Sequence, residues 1–114
     1  MEKDIFCKII GKEVPATVLY EDTSVLAIRD IHPQAPVHIL IIPKAHIAQI
    51  KDIAPRDLPL IGHIVEVANM LAHREGISEH GYRLVFNSGA EGGQVVQHLH
   101  LHLLGGRQLA GGLG

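Results

Sequence analysis

His98-Leu99-His100-Leu101-His102, followed by Leu103-Leu104, is the stretch on which the reading of this chain turns. Side chains on a β-strand alternate between its two faces, so a strand of this sequence sets three imidazoles on one face and three leucines on the other. Each neutral imidazole carries one donor and one acceptor that need partners, which makes such a row awkward as ordinary packing. It suits a site that handles a proton, a metal or a phosphate near neutral pH. The plain alternative is a solvated strand face. With 9 histidines in 114 residues, three alternating ones arise by chance in about 5% of such chains, so the surrounding residues must carry the rest.

The chain is read as one domain, residues 1–114, long enough for a single core without disulfide or metal staples. Its 46% hydrophobic and 19% charged residues are ordinary for a globular protein. A net charge of −2 and the lack of a Lys/Arg cluster leave no electrostatic footprint for nucleic acid. A few aimed donors can still hold a single phosphate. One cysteine, Cys7, excludes an internal disulfide and points to a reducing compartment; its plain reading is a small buried hydrophobe. Met1-Glu2-Lys3-Asp4 lacks a signal pattern, and no apolar run approaches the ~20 residues of a membrane helix. The expected location is the cytoplasm.

Working outward, Asp4 can cap a short helix through Ile10, stopped by Gly11. Thr17–Tyr20 and Val25–Ile28 flank a polar turn and read as a hairpin. His38–Ile42 is apolar enough for a central strand ended by Pro43. Leu60, Ile61, Ile64, Val65, Ala68, Leu71 and Ala72 recur at helical spacing, with Pro55 or Pro59 suited to the first turn and Gly76 to the stop. Arg83–Phe86 is a fourth strand, and the histidine run a fifth. The expected fold class is α+β: a five-stranded, mostly antiparallel sheet with one short N-terminal helix and one long helix. Unprotected sheet edges and a single long helix make a homodimer attractive.

Asp30-Ile31-His32-Pro33-Gln34-Ala35-Pro36-Val37-His38, the turn Asn87-Ser88-Gly89-Ala90-Glu91-Gly92-Gly93-Gln94, the triple histidine and Gly105-Gly106-Arg107-Gln108 occur in this order. Together they resemble the histidine triad superfamily, and within it the Hint-type phosphoramidases, over nearly the whole chain. The resemblance implies a homodimer whose sheet continues across the interface, a purine nucleotide pocket and no cofactor. It implies hydrolysis of purine nucleoside 5′-phosphoramidates or related nucleotidyl conjugates at the α-phosphorus, through a covalent nucleotidyl-histidine. The nucleophile it implies is His100, assisted by His98, His102 and His38. It assigns Asp30 to the ribose hydroxyls, Phe6, Ile9, Ile28, Ile31 and Leu40 to walls around the base, and Asn87, Gly93, Gln94 and Val95 to the substrate near the phosphate. Read without the resemblance, Asp30 is a turn aspartate, His38 a core histidine and the five apolar residues simply core. His32, His46, His63, His73 and His80 read as surface or packing residues.

The chain departs from the family pattern at three places. Val95 stands where relatives carry Ser or Thr, Gln97 where they often carry an aromatic residue, and the Gly-rich tail lacks the Trp that some use. Loss of a hydroxyl donor at Val95 gives weight to a second function class, a nucleotide-binding or protein-interaction module with little turnover. A third is a zinc site on the histidines themselves; one straight strand rarely converges three ligands on one ion, so the expected metal complement is none.

Overall fold

A computed structural model describes residues 4–114; residues 1–3, most of the segment read for a signal pattern, lie outside the described residues. Helix α1 spans Ile5–Ile10 and is capped by Asp4, whose Oδ1 accepts from the Cys7 N–H at 2.7 Å. The strands are β1 (Val18–Glu21), β2 (Val25–Arg29), β3 (Val37–Pro43), β4 (Tyr82–Phe86) and β5 (Leu101–Gly105), and the long helix α2 runs Leu58–Arg74. Pro59 occupies the first turn of α2, where its missing N–H costs nothing, and Gly76 follows the helix at φ +74°.

The five strands form one sheet in the order β1-β2-β3-β5-β4, with every neighbouring pair antiparallel. Both faces of its centre are covered, so β3 is buried at all seven positions and reads as a continuous apolar run rather than an alternation. On one face Ile39, Ile41, Leu101 and Leu103 pack against Ile64, Ala68 and Leu71 of α2. On the other, Leu26, Ile28, Leu40 and Ile42 gather around Phe6 of α1. No described helix is long and apolar enough to cross a membrane.

The sequence expectation is corrected at the histidine run. Strand pairing begins only at Leu101, so His98, Leu99 and His100 lie before β5 and only His102 lies within it. The cause is a competing bond: the Leu99 N–H donates to the Ile47 carbonyl at 2.7 Å, tying the segment to the loop after β3 instead of to the ladder. The face alternation survives, because Leu99, Leu101 and Leu103 all join the α2-side core. Cys7 also departs from its plain reading: it is half-buried, beside His98.

Candidate active site

Four imidazoles collect on the α1-side face of the sheet. β3 brings His38 and β5 brings His102. In the ladder His38 faces Leu104 and His102 faces Leu40, which makes the two histidines diagonal neighbours on one face. Their rings meet, with His38 Nε2 and His102 Nδ1 2.9 Å apart. His100 packs edge-on against Phe6 and against His102, each at a centroid distance of 4.9 Å.

Hydrogen-bond partners assign the tautomers. His100 Nδ1 lies 2.7 Å from the His98 carbonyl oxygen, so Nδ1 carries the proton and donates. That leaves a lone pair on His100 Nε2, which has no hydrogen-bond partner among the described residues. Burial holds this imidazole below its ordinary pKa, against the opposing pull of the His98 carbonyl, so the lone pair is present at neutral pH. His38 Nδ1 accepts from the Gln34 N–H at 3.0 Å, which places its proton on Nε2, pointing at His102 Nδ1. His102 therefore accepts on Nδ1 and keeps one N–H, on Nε2, for whatever enters the site. Burial, then the neighbouring His100 and His38, push the His102 pKa down to about 4. Burial likewise lowers His38, opposed by Asp30. The result is a directed chain of neutral imidazoles ending in one free donor, beside one free lone pair.

Asp30 follows β2. Its Oδ1 accepts from the His32 N–H at 2.8 Å and its Oδ2 sits 3.4 Å from His38 Nε2. Because His38 is neutral, that contact is a polar one to an N–H and not an ion pair. Phe6, Ile28 and Leu40 are buried together with Ile9 packed beside them, whereas Ile31 is 83% exposed and stands outside that cluster.

The turn before the triad is built for rigidity. Gly92 has no room for a side chain, since a Cβ there would lie 2.5 Å from the Ser88 carbonyl oxygen, and Gly93 adopts φ +84°. Asn87 Nδ2 donates to the Gly92 carbonyl at 2.7 Å. The buried Gln94 amide donates to the carbonyls of Ala48 (2.7 Å) and Val96 (3.0 Å) and accepts from the Gly89 N–H (2.9 Å). Its side chain is thus consumed in holding the turn. Val95 is 90% exposed.

Sequence reasoning missed a second cluster on the other side of His98. His98 Nε2–H donates to the Pro43 carbonyl at 2.8 Å, while Nδ1 faces Asp4 Oδ2 at 3.2 Å and Cys7 Sγ at 3.5 Å. His46 Nε2 lies 3.1 Å from the same Asp4 oxygen. A lone pair on Nδ1 and a carboxylate oxygen repel unless a proton or a cation stands between them. The donor atoms of Asp4, Cys7, His46 and His98 all lie within 4.8 Å of one another, a mixed S/N/O set of the kind zinc accepts. A ring N–H donated to a backbone carbonyl is also how ligating histidines are usually oriented. A second such group, Asp30, His38 and His102, lies in the imidazole chain. The three triad histidines do not converge: His98 belongs to one group, His102 to the other and His100 to neither. The only advance signal was Asp4 three residues before Cys7 on the first helical turn, and it read as a cap.

An antiparallel five-stranded sheet carrying an imidazole oriented by the carbonyl two residues before it, with two further histidines alongside, defines a histidine triad protein. The chain belongs to the histidine triad (HIT) family. The family model described as "Scavenger mRNA decapping enzyme C-term binding" matches residues 3–113. The chain is 49% identical over 108 residues to the purine nucleoside phosphoramidase of Escherichia coli strain K12, covering 95% of this chain and 91% of that protein. It is 52% identical over 107 residues to the 14 kDa zinc-binding protein of Zea mays, covering 92% and 83%. The crystal structure of a HIT family hydrolase from Legionella pneumophila Philadelphia 1 superposes with a TM-score of 0.96 at 56% identity, covering 98% of this chain and all of that one.

Proposed function

We propose that this protein hydrolyses purine nucleoside 5′-phosphoramidates or related nucleotidyl conjugates at the α-phosphorus, with His100 Nε2 as nucleophile. The observation that carries the reading is the 2.7 Å bond from His100 Nδ1 to the His98 carbonyl, which fixes the lone pair on Nε2. The relative from E. coli, whose name gives the same activity, supports it.

In this reading the Nε2 lone pair attacks phosphorus and a P–N bond to His100 forms. The substrate's own P–N bond breaks, and the amine nitrogen leaves with that electron pair and a proton taken up from solvent. Water then attacks phosphorus, the bond to His100 breaks with its pair returning to Nε2, and one proton of the water is released. Proton uptake and release cancel over the cycle. The N–H on His102 Nε2 donates to phosphoryl oxygens as charge builds on them. Asp30 takes the ribose hydroxyls, and the apolar group around Phe6 takes the purine. We assign the active form to a homodimer formed through a sheet edge or α2, on the strength of unprotected sheet edges and a single long helix, and the reaction to the cytoplasm, on the strength of a single cysteine.

Steady-state hydrolysis of adenosine 5′-phosphoramidate by wild type and His100→Ala, with AMP binding in parallel, tests the reading. Turnover in wild type and its loss, with binding retained, in His100→Ala is the expected result. Binding without turnover in wild type favours a nucleotide-binding module instead.

A second reading concerns metal. The Asp4-Cys7-His46-His98 group and the name of the maize relative support a zinc ion there, which would brace His98 and through its carbonyl His100. Elemental analysis of untagged protein tests this: about one zinc per chain supports it, and zinc-free protein of full activity counts against it.

A further inference from the structure

A cavity of about 480 Å³ opens beside His38 and His102, between β4 and the C-terminal segment that folds back over it. Two guanidinium groups border it, those of Arg83 and Arg107. Arg83 sits on β4 two residues before Val85, the ladder partner of His102, and so shares the face of the sheet that carries the histidines. Arg83 donates to the Ala110 carbonyl at 2.6 Å, and Arg107 donates to the carbonyls of Gln34 at 2.9 Å and Gln108 at 3.0 Å. Neither has a carboxylate partner among the described residues, unlike Arg29, which pairs with Glu75 at 2.8 Å. A guanidinium has five N–H donors, so both keep several for a ligand.

We propose that this cavity is a leaving-group subsite selecting amines that carry an anionic end, with Arg83 and Arg107 as the specificity-determining residues. The proposal rests on the phosphoramidase reading. In-line displacement sends the amine away from His100 Nε2, and the cavity lies on the His102 side, with no lining residue from the base-binding group around Phe6. Its volume, within the usual range for small-molecule sites, admits a group of amino-acid size. Val85 and Leu104 supply apolar walls for a short methylene chain, and the guanidinium pair supplies charge-assisted bonds at its far end. A carboxylate and a phosphate monoester share the chemistry such a pair recognises. A larger cavity of about 590 Å³ is also lined by Arg83 and Arg107, but none of His38, His98, His100 and His102 lines it, so it does not present a ligand to the reacting bond.

The test is a set of adenosine 5′-phosphoramidates made from propylamine, β-alanine and 2-aminoethyl phosphate, which differ only in the far end of the amine. The expected result is a kcat/KM for wild type at least ~10-fold higher for one or both anionic conjugates than for the propylamine conjugate. The β-alanine and phosphate arms tell which anion is preferred. Arg83→Met and Arg107→Met should each shrink that ratio toward one, with Arg83→Lys retaining part of it. A wild-type ratio of one or below, or a ratio that both Met variants leave intact, overturns the subsite while the phosphoramidase reading stands. Failure to cleave any of the three overturns both.

Discussion

His100 Nδ1 donates its proton to the carbonyl oxygen of His98, two residues back along the same chain, with nitrogen and oxygen 2.7 Å apart. An i to i−2 bond of this kind needs no third residue to orient the ring. The carbonyl that orients the ring belongs to His98, which lies before β5 and takes no part in the ladder. His38 and His102 form their own chain from the Gln34 N–H, so the N–H on His102 and the lone pair on His100 are set independently.

The neutral imidazoles make the fold sensitive to acid. The His102 pKa falls to about 4 in the folded chain against about 6.5 unfolded, so the unfolded state binds more protons as pH drops. Stability from this residue is full above pH 6.5 and is lost as pH falls toward 4, on the order of 3 kcal/mol in all. Burial of His38 and His100 acts in the same direction. Urea unfolding at pH 7.5, 6 and 4.5 should show this decline, with a shallower one in His102→Asn. Equal slopes for the two proteins contradict it.

His63 behaves oppositely. On α2 it joins the β1–β2 turn through Asp22, with Nε2 2.6 Å from Asp22 Oδ2, and faces Glu66 Oε1 at 3.1 Å. The bonds to Asp22 and Glu66 raise its pKa, so its contribution is present below the unfolded pKa and disappears as pH rises through the higher folded value. His63→Gln should be destabilised relative to wild type at pH 6 and much less so at pH 9, measured by thermal unfolding. A difference independent of pH excludes the clasp.

Gln94→Ala leaves two carbonyls and one N–H without their buried partner, at a cost of about 2–3 kcal/mol. The turn preceding the triad should loosen as well, giving faster amide exchange at Gly89 and slower hydrolysis. Full activity in a destabilised protein would separate the turn from the chemistry.

Most of the fold was legible because its signals are local. Asp4 and Gly11 bracket α1, the helical spacing from Leu60 to Ala72 falls inside α2, and the apolar run of β3 is what a strand covered on both faces requires. The alternating leucines found the right face even where strand pairing is absent. What was hidden depends on long-range closure. Asp4 and His98 are 94 residues apart in sequence and 3.2 Å apart in space, and nothing near either announces the other. His46 is the surface residue its sequence suggests, yet its contact with Asp4 is equally unannounced, and the Ala110 carbonyl reaches Arg83 only when the C-terminal segment folds back. Gln94 shows the limit of a resemblance: the resemblance assigns it to the substrate near the phosphate, whereas its amide is spent on the backbone of Gly89, Ala48 and Val96.

Asp30 offers a test of substrate orientation. With Oδ1 held by the His32 N–H and Oδ2 near His38, each oxygen retains lone-pair capacity for one ribose hydroxyl. Removing the 2′-hydroxyl from the nucleotide should weaken binding by about 1–2 kcal/mol in wild type and by much less in Asp30→Ala, by calorimetry. The same ribo-to-deoxyribo ratio in both proteins removes the assignment.

The direct measurement of the central claim is covalent capture. An adenosine 5′-phosphoramidate labelled at the α-phosphorus, quenched during turnover, should leave acid-labile, base-stable label on one residue, His100, with none on His100→Ala. Label that persists in His100→Ala, or that maps to His98 or His102, would contradict the account.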